Sequence, residues 1–217
     1  MLRQRAQANG KAVSDGTRLR LTNDDFSEVA SAFYVAPMNI RSFTTDFTFQ
    51  LTRIGTSRLA DGMTFTIQGV GLFAIGSMGG GLGYGPEPQQ GSFVTRITRS
   101  VAVKFDTFND IGEGNNSIGL YTGGASPALP ADSLPPETID LQSGHVFGVH
   151  LDYSGVTLTV TITDMSVPAP RPTFTKSYTV DIPAEVGGST AYVGFTASTG
   201  GSTSKQEVLT WTYTPGP

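Results

Sequence analysis

The chain has 217 residues, a formal net charge of −4, 38% hydrophobic and 15% charged residues, and no cysteine. With 13 Phe, 7 Tyr and a Trp it is too aromatic and too weakly charged for a disordered polymer, and the missing thiols exclude disulfides, thiolate zinc centres and a cysteine nucleophile. The acidic balance leaves no footprint for nucleic acid, and no apolar run reaches membrane-spanning length.

The length suits a single domain, 1–217. Residues 1–16, MLRQRAQANGKAVSDG, are polar and lack the apolar stretch of a secretory signal, so they are expected to be a linker or an artificial extension. From there the chain alternates with a period of two, the mark of strands with one buried face. Strands are expected at 17–22 and 30–35, then at 43–51, where Phe43, Thr45, Phe47, Phe49 and Leu51 share a face. Asp61, in Ala60-Asp61-Gly62, opens a strand with Met63, Phe65 and Ile67 on one side; alone it reads as a turn carboxylate. Residues 69–92 are too Gly-rich and too long for a turn, and Gly79–Gly83 allow a close backbone approach to a ligand. No G-K-[ST] follows, so this is not a P-loop.

A strand at 100–108 runs into Asp106-Thr-Phe-Asn109-Asp110-Ile-Gly-Glu113-Gly-Asn115-Asn116. Carboxylates and amides at this spacing suit a hard cation such as Ca²⁺, although the order is not that of an EF-hand. The alternative is a loop that caps its own backbone. Strands follow at 117–121, 146–153 and 156–163, the last two joined by a Ser154-Gly155 turn, with Val156, Leu158, Val160 and Ile162 facing inward. His145 and His150 lack metal spacing and read as structural or surface residues. After a strand at 174–181, Pro183–Val186 form a helical turn closed by Gly187-Gly188. Strands at 191–198 and 207–213 flank the loop TGGSTSK, and Trp211 alternates with Leu209 and Tyr213 as core. Glycoside hydrolysis needs two carboxylates across a cleft. The 100–108 strand offers only Asp106, with Lys104 two residues back on the same face.

The expected fold is an all-β antiparallel jelly-roll sandwich. SFTTDFTFQL with ADGMTFTIQ, GGGLGYG, SVAVKFDTFND, and VDIPAEVGG through QEVLTWTY, in that order over about 17–214, resemble a legume-type (L-type) lectin domain of the bacterial kind. The resemblance implies a concanavalin-like jelly roll that binds carbohydrate without catalysis. It places the sugar contacts at Asp61, at Gly80 or Gly81, at Asn109 or Asp110, and at Gly200, Gly201 and Ser202, with a cis peptide at Ala60-Asp61. It places one Ca²⁺ on Asp106, the Phe108 carbonyl and Asp110 or Asn109, with Glu113 and Asn115 as further donors. The family's transition-metal Glu and His positions read Lys104 and Ser117, so no transition metal is expected, and a fixed ammonium at Lys104 stands where that metal would supply charge. The expected role is therefore a secreted or surface-displayed lectin with glycan partners, self-associating through sheet edges. Two other roles compete: a structural or adhesive sandwich with a degenerate site, and a glycan-cleaving enzyme. A Lys104–Asp106 pair over an empty loop would favour the structural role, and facing carboxylates in one cleft the enzyme.

Overall fold

The computed structural model describes residues 6–53, 55, 58–88 and 95–217. Residues 1–5 of the polar segment and 89–92 of the Gly-rich stretch lie outside the described residues. In chain order the elements are β1 (Ala6–Gly10), β2 (Val13–Asp15), β3 (Arg18–Asn23), β4 (Val29–Tyr34), β5 (Met38–Asn39), β6 (Phe43–Thr52), β7 (Gly62–Gln68), β8 (Ser100–Asp106), β9 (Ser117–Thr122), β10 (Asp132–Ser133), β11 (Val146–Tyr153), β12 (Thr157–Asp164), β13 (Thr173–Thr179), α1 (Ile182–Val186), β14 (Thr190–Ser198) and β15 (Lys205–Pro215). The strands form two antiparallel sheets. The front sheet runs β1-β4-β14-β7-β8-β9-β10, with β5 on β14, and the back sheet β13-β12-β11-β6-β15-β3-β2.

The sheets meet through an aromatic cluster. Phe47 of β6 stacks on Phe65 of β7 at 5.7 Å and meets the edges of Phe105 of β8 and Phe195 of β14 at 5.9 and 5.1 Å. Phe195 continues to Trp211 at 5.2 Å, so Trp211 is core. Each such pair adds roughly 0.5–1.5 kcal/mol beyond the area it buries.

Several elements depart from the sequence-based expectation for identifiable reasons. Residues 6–10, expected to be linker, form β1 and pair with β4 from Ala6↔Tyr34 to Gly10↔Ala30, and β2 pairs with β3. The strand expected to reach 108 stops at Asp106, whose Oδ1 accepts the Phe108 amide at 3.0 Å and turns the chain. The strand expected to reach 181 stops at Thr179, because Asp181 caps α1 by accepting from Ala184 N at 3.0 Å. In the β11–β12 hairpin Tyr153 pairs with Leu158 and Ser154 N donates to Thr157 O, so the turn residues are Gly155-Val156 and not Ser154-Gly155. Gly155 takes the positive φ of 96°, and Val156, expected inside, is 62% exposed at the tip.

The outer face of the front sheet is covered. Every residue of β7 and β8 is buried, although half of them are Ser, Thr, Gln, Gly, Lys or Asp. The Gly-rich chain from 70 to 85 lies on this face and is tied down by its hydroxyls. Ser31 Oγ donates to Ala74 O at 2.7 Å, Thr196 Oγ1 to Leu82 O at 2.7 Å and Ser198 Oγ to Gly79 O at 2.6 Å. A second apolar cluster of Phe33, Ala74, Tyr84, Ile97, Ala102 and Tyr121 fills the space beneath.

Candidate functional site

Asp61 stands where the chain turns into β7. The Ala60-Asp61 peptide is cis, as the family resemblance implies. Its backbone is a junction: Asp61 N donates to Ser198 O at 3.1 Å, and Asp61 O accepts from Thr107 N and Thr107 Oγ1, both at 2.9 Å. Those bonds bring together the end of β14, the start of β7 and the loop after β8. The side chain is 4% exposed, and its Oδ2 is buried without a hydrogen-bond partner among the described residues.

Glycines line the approach to that carboxylate. Gly79–Gly81 form a 3-10 turn, and Gly79 N donates to Thr199 O at 3.2 Å. The Gly200 amide bonds the Asp61 carboxylate. A Cβ on Gly200 would lie 3.1 Å from Asp61 Oδ2 and 3.2 Å from Gly79 Cα, so a side chain there would narrow the cradle. The half-exposed Ser202 and the exposed Gly201 form the outer rim. Gly81 departs from expectation as a sugar donor: its amide is already committed to Met78 O at 3.1 Å. The Gly80 amide bonds the Glu87 carboxylate, which itself packs over Gly79, while the Asp110 carboxylate packs over Gly80. Glu87 was not foreseen. It follows Pro86 in a Gly-rich stretch without period, and only the fold of that loop brings it to the cradle.

The electrostatics are lopsided. Burial first, then the charges of Asp110, Glu87 and Asp106, push the Asp61 carboxyl up to about 8, and the Gly200 amide pulls it back. Asp110 is pushed up to about 7 by burial and then by Glu87, Glu113 and Asp106. Burial also raises Glu87, against the pull of the Gly80 amide.

The loop 106–117 was expected to bind calcium. Asp106 Oδ2 takes Lys104 Nζ at 2.8 Å and Oδ1 takes the Phe108 amide at 3.0 Å. Glu113 accepts from the amides of Asp110 and Ile111 at 3.0 and 2.8 Å, and Asn109 Oδ1 from those of Gly112 and Gly114 at 2.8 and 3.2 Å. Phe108 and Asn115 are half-buried beside them. Among the described residues no three of His, Cys, Asp or Glu gather to hold a metal. A Ca²⁺ ion wants about six to eight oxygens. Asp106, Asn109 and Glu113 have turned inward to the loop's own amides and to Lys104, and oxygens so committed do not fit that ion. Asn116 binds the neighbouring segment instead, donating to Leu134 O and Ile139 O at 3.0 and 2.7 Å. Gln142 ties the two loops together, donating to Thr107 O at 2.6 Å and to Leu59 O at 3.2 Å.

The histidines lie elsewhere. His145 pairs with Asp164 and His150 with Asp46, each at 2.7 Å, on the back sheet.

Residues 3–216 match the Legume lectin domain family. The chain is 32% identical to the L-type lectin-domain containing receptor kinase VIII.2 of Arabidopsis thaliana over 93% of its own length, but spans only 29% of that protein. It is 29% identical to Agglutinin-2 of Cladrastis kentukea over 95% of its length and 74% of that protein. In structure it is similar to a lectin from Bauhinia forficata in complex with GalNAc (TM-score 0.79, 23% identity, 97% of this chain and 92% of that one). It is equally similar to the metal-free form of lectin I-B4 from Griffonia simplicifolia (TM-score 0.79, 20% identity, 98% and 94%). These relatives are plant proteins and give no support to the bacterial subtype expected from the sequence.

Proposed function

The chain belongs to the legume lectin domain family, and on that premise we propose that it is a non-catalytic, glycan-binding lectin domain whose sugar contacts centre on Asp61. The observation that carries this is Asp61 Oδ2, a buried acceptor with no donor. Leaving such an atom unpaired costs about 1–3 kcal/mol, which a sugar hydroxyl offsets by donating to it. Gly200, Gly201 and Ser202 flank that hydroxyl, and the Glu87 and Asp110 carboxylates that cover Gly79 and Gly80 stand ready as further acceptors. Polar groups aimed at hydroxyls are also how a shallow site tells one sugar from another. Asp61, Asp110 and Glu87 crowd one another: burial raises all three and repulsion raises Asp61 and Asp110 further, so a further carboxylate is unwelcome and neutral glycans bind in preference to sialylated or uronic ones.

The Lys104–Asp106 pair is the feature expected of a degenerate structural domain. It leaves the Asp61 cradle intact, and the loops holding that cradle are hydrogen-bonded to one another across distant parts of the chain. Asp61, Glu87 and Asp110 do bring carboxylates to one place, as the enzyme alternative requires. The family is one of binding proteins, and no step here depends on hydrolysis. Recognition runs through the chain's own groups without calcium. An extracellular or surface location fits relatives that are agglutinins and receptor kinases. Self-association would use the outer strands β13 and β2. A glycan array probed with the wild type and with Asp61→Ala tests the proposal. Expected is a set of neutral glycans bound by the wild type and lost in the variant; identical profiles, or no glycan bound by either, would refute it.

A further inference from the structure

Lys104 projects from the outer face of β8 and is 0% exposed. Its ammonium has three neighbours. Nζ donates to Asp106 Oδ2 and to the Ala128 carbonyl, both at 2.8 Å, and stands 5.5 Å from the centre of the Tyr121 ring. The Tyr121 hydroxyl closes the cage, its one proton shared between Ala128 O at 2.9 Å and Pro130 O at 2.6 Å. A carboxylate, a carbonyl and an aromatic face are the three kinds of group that hold a desolvated cation in place.

The consequences pass outward through Asp106. With one oxygen on Lys104 and the other on the Phe108 amide, Asp106 fixes the first turn of the loop. Asn109 and Glu113 then organise the rest from within, through the four amides already named. Thr107, inside that first turn, bonds Asp61 O twice, so the order reaches the sugar cradle. The family resemblance assigns this organising role to metal, and the Asp106, Asn109 and Glu113 oxygens are committed elsewhere here.

We infer that the Lys104 ammonium is the resident cation of the 106–117 loop, a positioning group that assembles the Asp61 cradle without bound metal. Its consequence for glycan binding rests on the lectin proposal; its consequence for the loop does not.

The test is made on the whole chain without any glycan. Wild type is stripped with EDTA and melted with and without millimolar Ca²⁺ and Mn²⁺, and the metals are titrated in by calorimetry. Expected is one melting temperature throughout and no binding heat. A metal-dependent rise in melting temperature, or saturable Ca²⁺ binding at the loop, would overturn the inference. The second arm is Lys104→Met, which keeps the stem and removes the charge. Expected is a fall in melting temperature of about 6–12 °C, as for a broken buried ion pair in a domain of this size, with faster amide exchange concentrated at Phe108, Asp110 and Ile111. Unchanged exchange at those amides in a folded variant would equally overturn it. Should Lys104→Met fail to fold, the wild-type metal titration still decides.

Discussion

On the back sheet, Thr159, Thr161 and Thr163 of β12 face Ser177, Thr175 and Thr173 of β13, hydroxyl to hydroxyl at 3.0–3.1 Å, in contact with solvent. On the front sheet Thr64, Thr66 and Thr196 make the same kind of row, with Thr64 bonding the other two at 2.6 and 2.8 Å, but all three are 0% exposed. The difference is the Gly-rich chain laid over one sheet and not the other. A bare polar row can lose or gain a partner to water at little cost. A covered row must satisfy each polar atom inside the protein or carry the penalty. Position on the two sheets therefore decides what a charged pair is worth. Lys104–Asp106 and His150–Asp46 are 2.8 and 2.7 Å long, yet the side chains of the first pair are 0% and 3% exposed and those of the second 48% and 63%.

Four substitutions or conditions press on that contrast, beginning with the largest effect. Asp61→Ala removes a buried acceptor that no protein donor satisfies at Oδ2, so glycan affinity falls by about 100-fold while the melting temperature holds or rises; titration calorimetry and a thermal melt read both. A large drop in melting temperature would mean that the carboxylate holds the fold together. Lys104→Glu sets a second carboxylate beside Asp106. Its melting temperature drops by about 6–12 °C without metal and recovers in part with Mn²⁺ or Ca²⁺, seen by scanning fluorimetry across a metal series. The third is pH. A carboxyl that titrates higher in the folded than in the unfolded chain stabilises the fold when protonated. The contribution of Asp61, at about 8, and of Asp110, at about 7, is therefore full below about pH 4 and is lost as pH rises to 8. Asp61→Asn flattens that decline, as melts at pH 5, 6, 7 and 8 would record. Last, His150→Ala on the bare face shifts stability by no more than about 0.5 kcal/mol, measured by urea unfolding.

The same contrast sets how much could be read in advance. β6, β11 and β12 alternate cleanly because one face meets the core and the other meets water, so period two located them. α1 was legible from Pro183 and Gly187, which fix its two ends. The motif around Asp61 could be placed by its resemblance, and its position at the start of β7 follows from the apolar run after it. On the covered sheet the alternation of Thr64 and Thr66 with Phe65 and Ile67 is just as regular, yet it says nothing of the loop that hides it. Lys104 reads as a solvated lysine or a metal-site replacement until Ala128 and Tyr121, 24 and 17 residues on, close over it. β1 escaped for the same reason: its partner β4 comes only after β2 and β3, and local pattern carries no trace of it. Glu87 escaped although Gly79 is close in sequence, because a Gly-rich loop has no period from which its fold can be read. The calcium expectation arose from the spacing of Asp, Asn and Glu in the 106–116 loop and from the family resemblance. The loop has the oxygens for it, but its own amides reach those of Asp106, Asn109 and Glu113 first.

The central claim is that a glycan site at Asp61 is held in shape by an internal ammonium. The most direct measurement is a calorimetric titration of an array-identified glycan into chelator-stripped wild type, first in EDTA and then in excess Ca²⁺. A cradle held by Lys104 gives one and the same dissociation constant in both. Binding that vanishes in EDTA and returns with Ca²⁺ would contradict it.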